Sequence, residues 1–298
     1  MYTAKSLGIV ALLAIAAIHS PAFAVAADSP DRGVGVVAEY RPAAGRFNFT
    51  RAPKGDAVPV QIGSVVQAGD RLTLPAGASV SLQLSNGKST TFNGPGSFEV
   101  PDGRPLGKLA TIIASVIPML DDEYRMAGTA ASRGGESCAK DGVGVKPIEV
   151  PILAGGANIV AGERDLPLAW RGGCPPFLVR VLSGDDSVVH RESIAGWQVR
   201  LDDVPLAVGS YVVVVADAGG GQSKFDLVAV NDGPVLPPDL AADNSNLGIT
   251  AQAAWLARQD DGRWRLESFE RLRPLIRSGD TLAGTLGDAL LWGPATRN

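Results

Sequence analysis

Side chains able to do chemistry are scarce in this chain. Only two histidines occur, His19 and His190. His19 sits in an apolar N-terminal run, so a Ser-His-Asp triad would have to use His190, and no G-x-S-x-G elbow accompanies it. Zinc held by histidine and cysteine fails for lack of ligands, since the cysteines are two, Cys138 and Cys174. The acidic pairs Asp185-Asp186, Asp202-Asp203 and Asp260-Asp261 fall in turn-like sequence and match no EF-hand spacing. A two-carboxylate glycosidase needs only two acids that meet in space, but short loops between short strands leave little room for a cleft. There is no P-loop, and Gly33-Val-Gly35 lacks the third glycine of a dinucleotide fingerprint. The expectation is a protein without catalytic, cofactor-binding or metal-ligating residues, and so not an enzyme.

The N-terminus sets the compartment. Lys5 precedes an apolar run over 7–18, and Pro21 leads into Ala22-Phe23-Ala24 and Ala24-Val25-Ala26, two overlapping small-x-small cleavage patterns. That order reads as a secretory signal peptide over 1–26. The run is shorter than the roughly 20 apolar residues that span a bilayer. The best later candidate, 106–120, is broken by Lys108 and Pro118. No integral span is expected after cleavage, and the mature chain is expected in the periplasm. In that oxidising space Cys138 and Cys174 are expected to pair. The bridge would close a loop of roughly 35 residues, worth on the order of 3–4 kcal/mol in the chain-entropy account.

Composition places the mature chain among folded, β-rich proteins. Apolar residues make up 45% and charged residues 19%, inside the globular range. Thirty-six glycines and 21 prolines imply frequent turns, which suit short strands. The formal net charge is −4 and no lysine or arginine run stands out, so nucleic acid is not an expected partner.

The elements that must position any site begin with a β region over 33–103. Segments 33–40, 47–50 and 58–66 are β-prone, and Gly69-Asp70 makes a turn. Val80-Ser81-Leu82-Gln83-Leu84 alternates with period two and so buries one face. Asn86-Gly87 follows at once, a strong hairpin signal, with 90–92 returning from it. Gly94-Pro95-Gly96 turns again into 97–100. The run from Ile62-Gly63 through Gly69-Asp70, Val80 to Leu84, Asn86-Gly87 and Phe92 to Gly94-Pro95-Gly96 resembles the FecR domain. That resemblance implies a periplasmic β-rich domain, found in sensors that relay a signal to a sigma-factor system and in exported scaffold proteins. Signalling members carry a cytoplasmic segment and a transmembrane helix, whereas this chain opens on an export signal. Compartment and β fold therefore carry over better than the sigma-factor role.

Residues 104–147 read as a connector. Leu109, Ile112, Ile113, Val116 and Leu120 fall at helical spacing and predict one amphipathic helix, packed on the first region or offered to a partner. Between 148 and 232, strands are expected at 149–153, 158–161, 166–170, 177–182, 187–190, 197–201, 210–216 and 224–230, separated by glycine-rich turns. Seven or eight strands at this spacing suit a β-sandwich. Leu168-Ala169-Trp170 and the run 206–214 around Tyr211 resemble immunoglobulin or fibronectin-like domains. The resemblance implies a buried Trp170 and a corner hydrogen bond from Tyr211.

The last region, 240–293, reads as helical. Asn244 or Ser245 could cap a helix carrying Leu247, Ala251, Ala254 and Trp255 on one face. Asp260-Asp261-Gly262 breaks it, and Leu266, Phe269, Leu272 and Ile276 give the face of a second helix. This hairpin resembles one tetratricopeptide-like unit, which does not stabilise itself alone. Leu282, Leu286, Leu290 and Trp292 form a last short stripe. The fold expected is thus mainly β: a FecR-like domain, a linker helix, an Ig-like sandwich and a C-terminal α-hairpin.

Two functions fit. One is a non-catalytic scaffold of the cell envelope that binds an envelope protein. The other is a glycan-binding or peptidoglycan-binding module, which would need exposed aromatics. Trp255, Trp264, Phe269 and Trp292 are the candidate partner-binding residues, with Trp197 a further sugar platform candidate.

Overall fold

The computed structural model describes residues 32–41, 48–52, 54–115 and 146–293. The expected signal segment 1–26, Cys138 and residues 116–145 of the expected connector lie outside the described residues. The fold is mainly β, with several antiparallel sheets and a C-terminal helical region.

The first region forms two four-stranded antiparallel sheets. One has the order β4-β1-β6-β7 and the other β3-β2-β5-β8. The strands are β1 Gly33–Arg41, β2 Asn48–Arg51, β3 Asp56–Pro59, β4 Val65–Gln67, β5 Arg71–Leu74, β6 Ser79–Leu84, β7 Ser89–Asn93 and β8 Gly96–Glu99. β1 is a near-continuous apolar run because both its faces are covered. β6 alternates as expected, with Val80, Leu82 and Leu84 in the core, but Gln83 on the opposite face is also buried. The Asn86-Gly87 turn joins β6 to β7, with Gly87 at φ 78°.

The expected strand 58–66 divides in two. Gly63 turns the chain at φ 79°, and the Ser64 Oγ accepts a hydrogen bond from the Gln61 N–H. β3 and β4 therefore enter different sheets. β5 was not expected as a strand, because the Gly69-Asp70 turn masks its alternation. Asp70 is fully buried and ties this corner together. Its carboxylate accepts from the Ala52 N–H at 2.9 Å and the Gln67 N–H at 2.8 Å. It also pairs with the Arg51 Nε at 3.4 Å, while the Arg51 Nη2 donates to the Val65 carbonyl.

Helix α1, Lys108–Ala114, follows the first region and buries Ala110 and Ile113. The second β region is a sandwich. A five-stranded sheet runs β12-β11-β14-β15-β9 and faces a two-stranded sheet, β10-β13. These strands are β9 Ala157–Val160, β10 Gly162–Ala169, β11 Phe177–Ser183, β12 Val188–Ile194, β13 Gln198–Leu206, β14 Gly209–Asp217 and β15 Gln222–Val230. The expected strand 149–153 is instead an isolated bridge, Glu149 to Arg171, and a 3-10 turn, Pro151–Leu153. Pro151 supplies no N–H to a ladder, which explains the change. Trp170 is fully buried, edge-on to Phe177 at 5.2 Å. The Tyr211 hydroxyl donates to the Ala207 carbonyl at 2.9 Å, the expected corner bond.

The C-terminal region holds a short helix α2, Pro238–Ala241, then α3 Asn246–Leu256, α4 Arg265–Arg277 and α5 Thr281–Trp292. Ser245 caps α3, accepting from the Gly248 N–H. Asp260, Asp261 and Gly262 all have positive φ and end the first arm of the hairpin. The last apolar stripe is a full third helix, so the region exceeds the expected hairpin. Asp280 starts it by accepting from the Ala283 N–H at 3.0 Å.

Two cores result. The first joins β1 to β8 with α1, α3, α5 and part of α4; the second lies inside the sandwich and includes Leu266 of α4. The helices therefore sit as a wedge between the two β regions.

Candidate functional site

The aromatic residues singled out as partner-binding lie largely within this wedge. Phe269 on α4 is half-buried and packs against both cores, at the joint between them. Trp264 is 4% exposed, and its indole N–H donates to Asp260 at 2.7 Å. Trp255 is half-buried against the first core. Trp292 is half-buried at the end of α5, whose last carbonyls accept from the Arg171 guanidinium. Trp197 stacks edge-on to Phe177 at 5.0 Å beside the sandwich core. Of these, only Trp264 is buried; Trp197, Trp255, Phe269 and Trp292 are all half-buried.

Polar groups complete the joint on both sides. Toward the first region, Asp280 Oδ2 accepts from the Gln83 Nε2 at 2.8 Å and from the Asn246 Nδ2 at 3.0 Å. Gln83 is buried because it reaches this hub. Toward the sandwich, Glu267 of α4 accepts from the Arg164 guanidinium and the Val160 N–H, both at 2.7 Å. Arg273 pairs with Asp165 of β10 and lies 3.4 Å from Glu270. Arg265 donates to the Pro151 and Ala154 carbonyls.

These ionisable groups differ in their electrostatics. Burial pushes the Glu270 carboxyl above the ordinary range, with Arg273 and Arg164 opposing the shift. Asp165 moves below its ordinary range, chiefly through the hydrogen bond from the Asp203 N–H and then through Arg273, against the burial that raises it. Burial lowers the pKa of Arg171 and of Arg265. These links tie α5 to the first region and α4 to the sandwich.

The remaining chemistry-bearing residues stand apart. His190 lies on β12 with Nε2 3.8 Å from the Glu192 carboxylate. Asp185-Asp186 and Asp260-Asp261 lie in turns as expected, but Asp202-Asp203 sits inside β13, where the register with β10 shifts at a bulge. Asp186, Asp203, Asp260 and Asp261 all adopt positive φ, a conformation short acidic side chains tolerate. Among the described residues, no cluster of three or more His, Cys, Asp and Glu is placed to hold a metal ion. No described helix is long and apolar enough to cross a membrane. Cys174 is buried, with its N–H donated to Asp217 Oδ2; its expected partner Cys138 lies outside the described residues.

Sequence reasoning missed the Asp280 hub and both ion-pair links to β10. Gly279-Asp280 ahead of a 282-286-290 stripe was a readable helix start. The pairing of α4 with β10 left no local trace, because its partners are about a hundred residues apart.

No protein-family model matches the chain, and no curated protein matches it. Among solved structures it is similar to CopC from Methylosinus trichosporium OB3b, 22% identical, covering 27% of this chain and 88% of that one, with a TM-score of 0.21. It is also similar to a biofilm-associated protein's BSP domain, 12% identical, covering 63% of this chain and 31% of that one, with a TM-score of 0.24. At these scores the fold rests on its own strands and register.

Proposed function

We propose that this chain is an exported, non-catalytic interaction protein of the cell envelope, a scaffold that presents two β modules to a protein partner. The N-terminal signal pattern supports the compartment, and the FecR-like run supports an envelope role. The observation that carries the reading is Phe269 packed on both cores. A helical hairpin used to fix the spacing of two modules suits a scaffold, and it removes the most apolar helix faces from partner binding. The surfaces left are sheet faces and edge strands, such as β12 with Val188 55% exposed.

The test is a pull-down from solubilised envelopes with the tagged mature protein, beside a peptidoglycan sedimentation assay. Reproducible capture of one envelope protein, with no sedimentation, is the expected result. Sedimentation that is lost in Trp255→Ala and Trp292→Ala variants would overturn it in favour of a glycan-binding module. Capture of nothing in either assay would also refute the scaffold reading.

A further inference from the structure

The five-stranded sheet keeps one face in the sandwich core and turns the other outward. On β11, Phe177, Val179 and Val181 belong to the core, as do Tyr211, Val213 and Val215 on β14. Strand alternation therefore puts Arg180 and its neighbours Leu178 and Leu182 on the other face, with Val212 and Ala216 half-buried beside them and Val214 fully buried between Arg180 and Lys224. Register then aligns one row across four strands. Arg191 of β12 faces Arg180, Arg180 faces Val214, and Val214 faces Lys224 of β15. Three cations thus share a row of about 14 Å, three strand spacings, in a chain whose net charge is −4.

Among the described residues none of the three makes an ion pair. The Arg180 Nε is buried without a hydrogen-bond partner. Like charges directly opposite across an antiparallel pair are destabilising, so folding gives no reason for Arg180 to face Arg191. One flanking row runs Ser193, Leu178, Ala216 and Gln222, apolar at its centre; the other runs Val188, Leu182, Val212 and Asp226. The helical wedge meets the sandwich at β9, β10 and the 3-10 turn. Among the described residues it leaves the outer faces of β11, β12 and β14 uncovered by helix.

We propose that this outer face docks an acidic segment of a partner protein. Its carboxylates pair with Arg191, Arg180 and Lys224, and its apolar residues cover Leu178, Leu182 and Val212. The inference rests on the interaction-protein reading and names the surface and the kind of partner. A polypeptide fits better than a glycan, because the aromatic residues of these strands, Phe177, Tyr211 and Phe225, lie on the core side, and sugar platforms need exposed rings.

The probe is a short labelled peptide alternating Glu and Leu, compared with its Lys and Leu counterpart, in an anisotropy titration of the full mature chain. The acidic peptide is expected to bind, and the basic one not. Combining Arg180→Ser, Arg191→Ser and Lys224→Ser is expected to weaken binding by at least about tenfold, as is added salt for the native chain. The melting temperature of that variant is expected to be no lower than native, since a repulsion has been removed. Should the triple variant fail to fold, Arg191→Glu changes one exposed side chain and is expected to weaken binding alone.

Equal binding of both peptides, or affinity unchanged by the substitutions, would overturn the proposal. So would binding to anionic phosphatidylglycerol vesicles in place of the peptide. The pull-down separates the two levels. If the triple variant captures the same envelope protein as the native chain, the scaffold reading stands and this face falls. If the native chain captures none, the scaffold reading itself falls.

Discussion

Replacing Asp70 by alanine removes one carboxylate from a site with no access to water. Asp70 is 0% exposed and the Arg51 side chain 9%. The variant strands the Arg51 charge, which retains its bond to the Val65 carbonyl, and leaves the Ala52 and Gln67 N–H groups without their acceptor. Breaking a buried pair by deleting one partner costs about 3–5 kcal/mol. Each buried donor left unmet costs about 1–3 kcal/mol more if no water reaches it. Domains are stable by only about 5–15 kcal/mol, so the first β region is expected to lose most of its stability. The assay is denaturant unfolding of the mature protein, followed through the first region. Arg51→Met with Asp70→Ala should recover part of the loss, because the stranded charge is gone, but not all, because the two N–H groups remain unmet. A loss under about 1 kcal/mol for Asp70→Ala, or a double variant no better than the single one, would refute this reasoning.

Other substitutions probe the joint and the sandwich. Phe269→Ala should cost about 2–4 kcal/mol, less than a fully buried Phe, and calorimetry should show the two β regions unfolding in separate transitions. Glu270→Gln should raise the melting temperature at neutral pH. Its folded pKa is raised, so the charged form is the disfavoured one, and the gain should vanish as pH falls below the ordinary carboxylate range. Asp165→Asn has the opposite sign. The lowered pKa contributes stability that is present above the ordinary carboxylate range and lost on acidification, so the variant should be less stable at neutral pH and differ little from native in acid. Tyr211→Phe should cost about 1 kcal/mol through its corner bond to Ala207. Peptide mapping without reductant should recover Cys138 linked to Cys174, and reduction should lower stability by roughly 3–4 kcal/mol.

Local patterns made much of the fold legible. The β6 alternation, the Asn86-Gly87 turn, the Ser245 cap and the corner bond of Tyr211 each follow from a few neighbouring residues. The errors have local causes too: Pro151 spoils a strand that hydropathy favours, and Gly63 divides one that it makes continuous. What no window contained is the joint. Gln83 in an alternating strand looks like a solvent-facing residue until Asp280 meets it from the far end of the chain. The same holds for Arg164 and Asp165, whose partners lie on α4. The aromatic residues of the helices signalled burial or binding equally well. For Phe269, packed against both cores, position decides for burial.

The bond from Gln83 to Asp280 spans 197 positions, and this has a consequence for biogenesis. In synthesis the first β region emerges well before the helices that cover its second face. During that interval β1 and β6 expose an apolar surface with a buried-type glutamine in its middle, and closure waits on a long loop. The vulnerable species in synthesis is therefore the nearly complete chain. A stop codon just before Asp280 would leave all of the β sequence intact and still remove the helix that closes the first module, leaving it open to proteases.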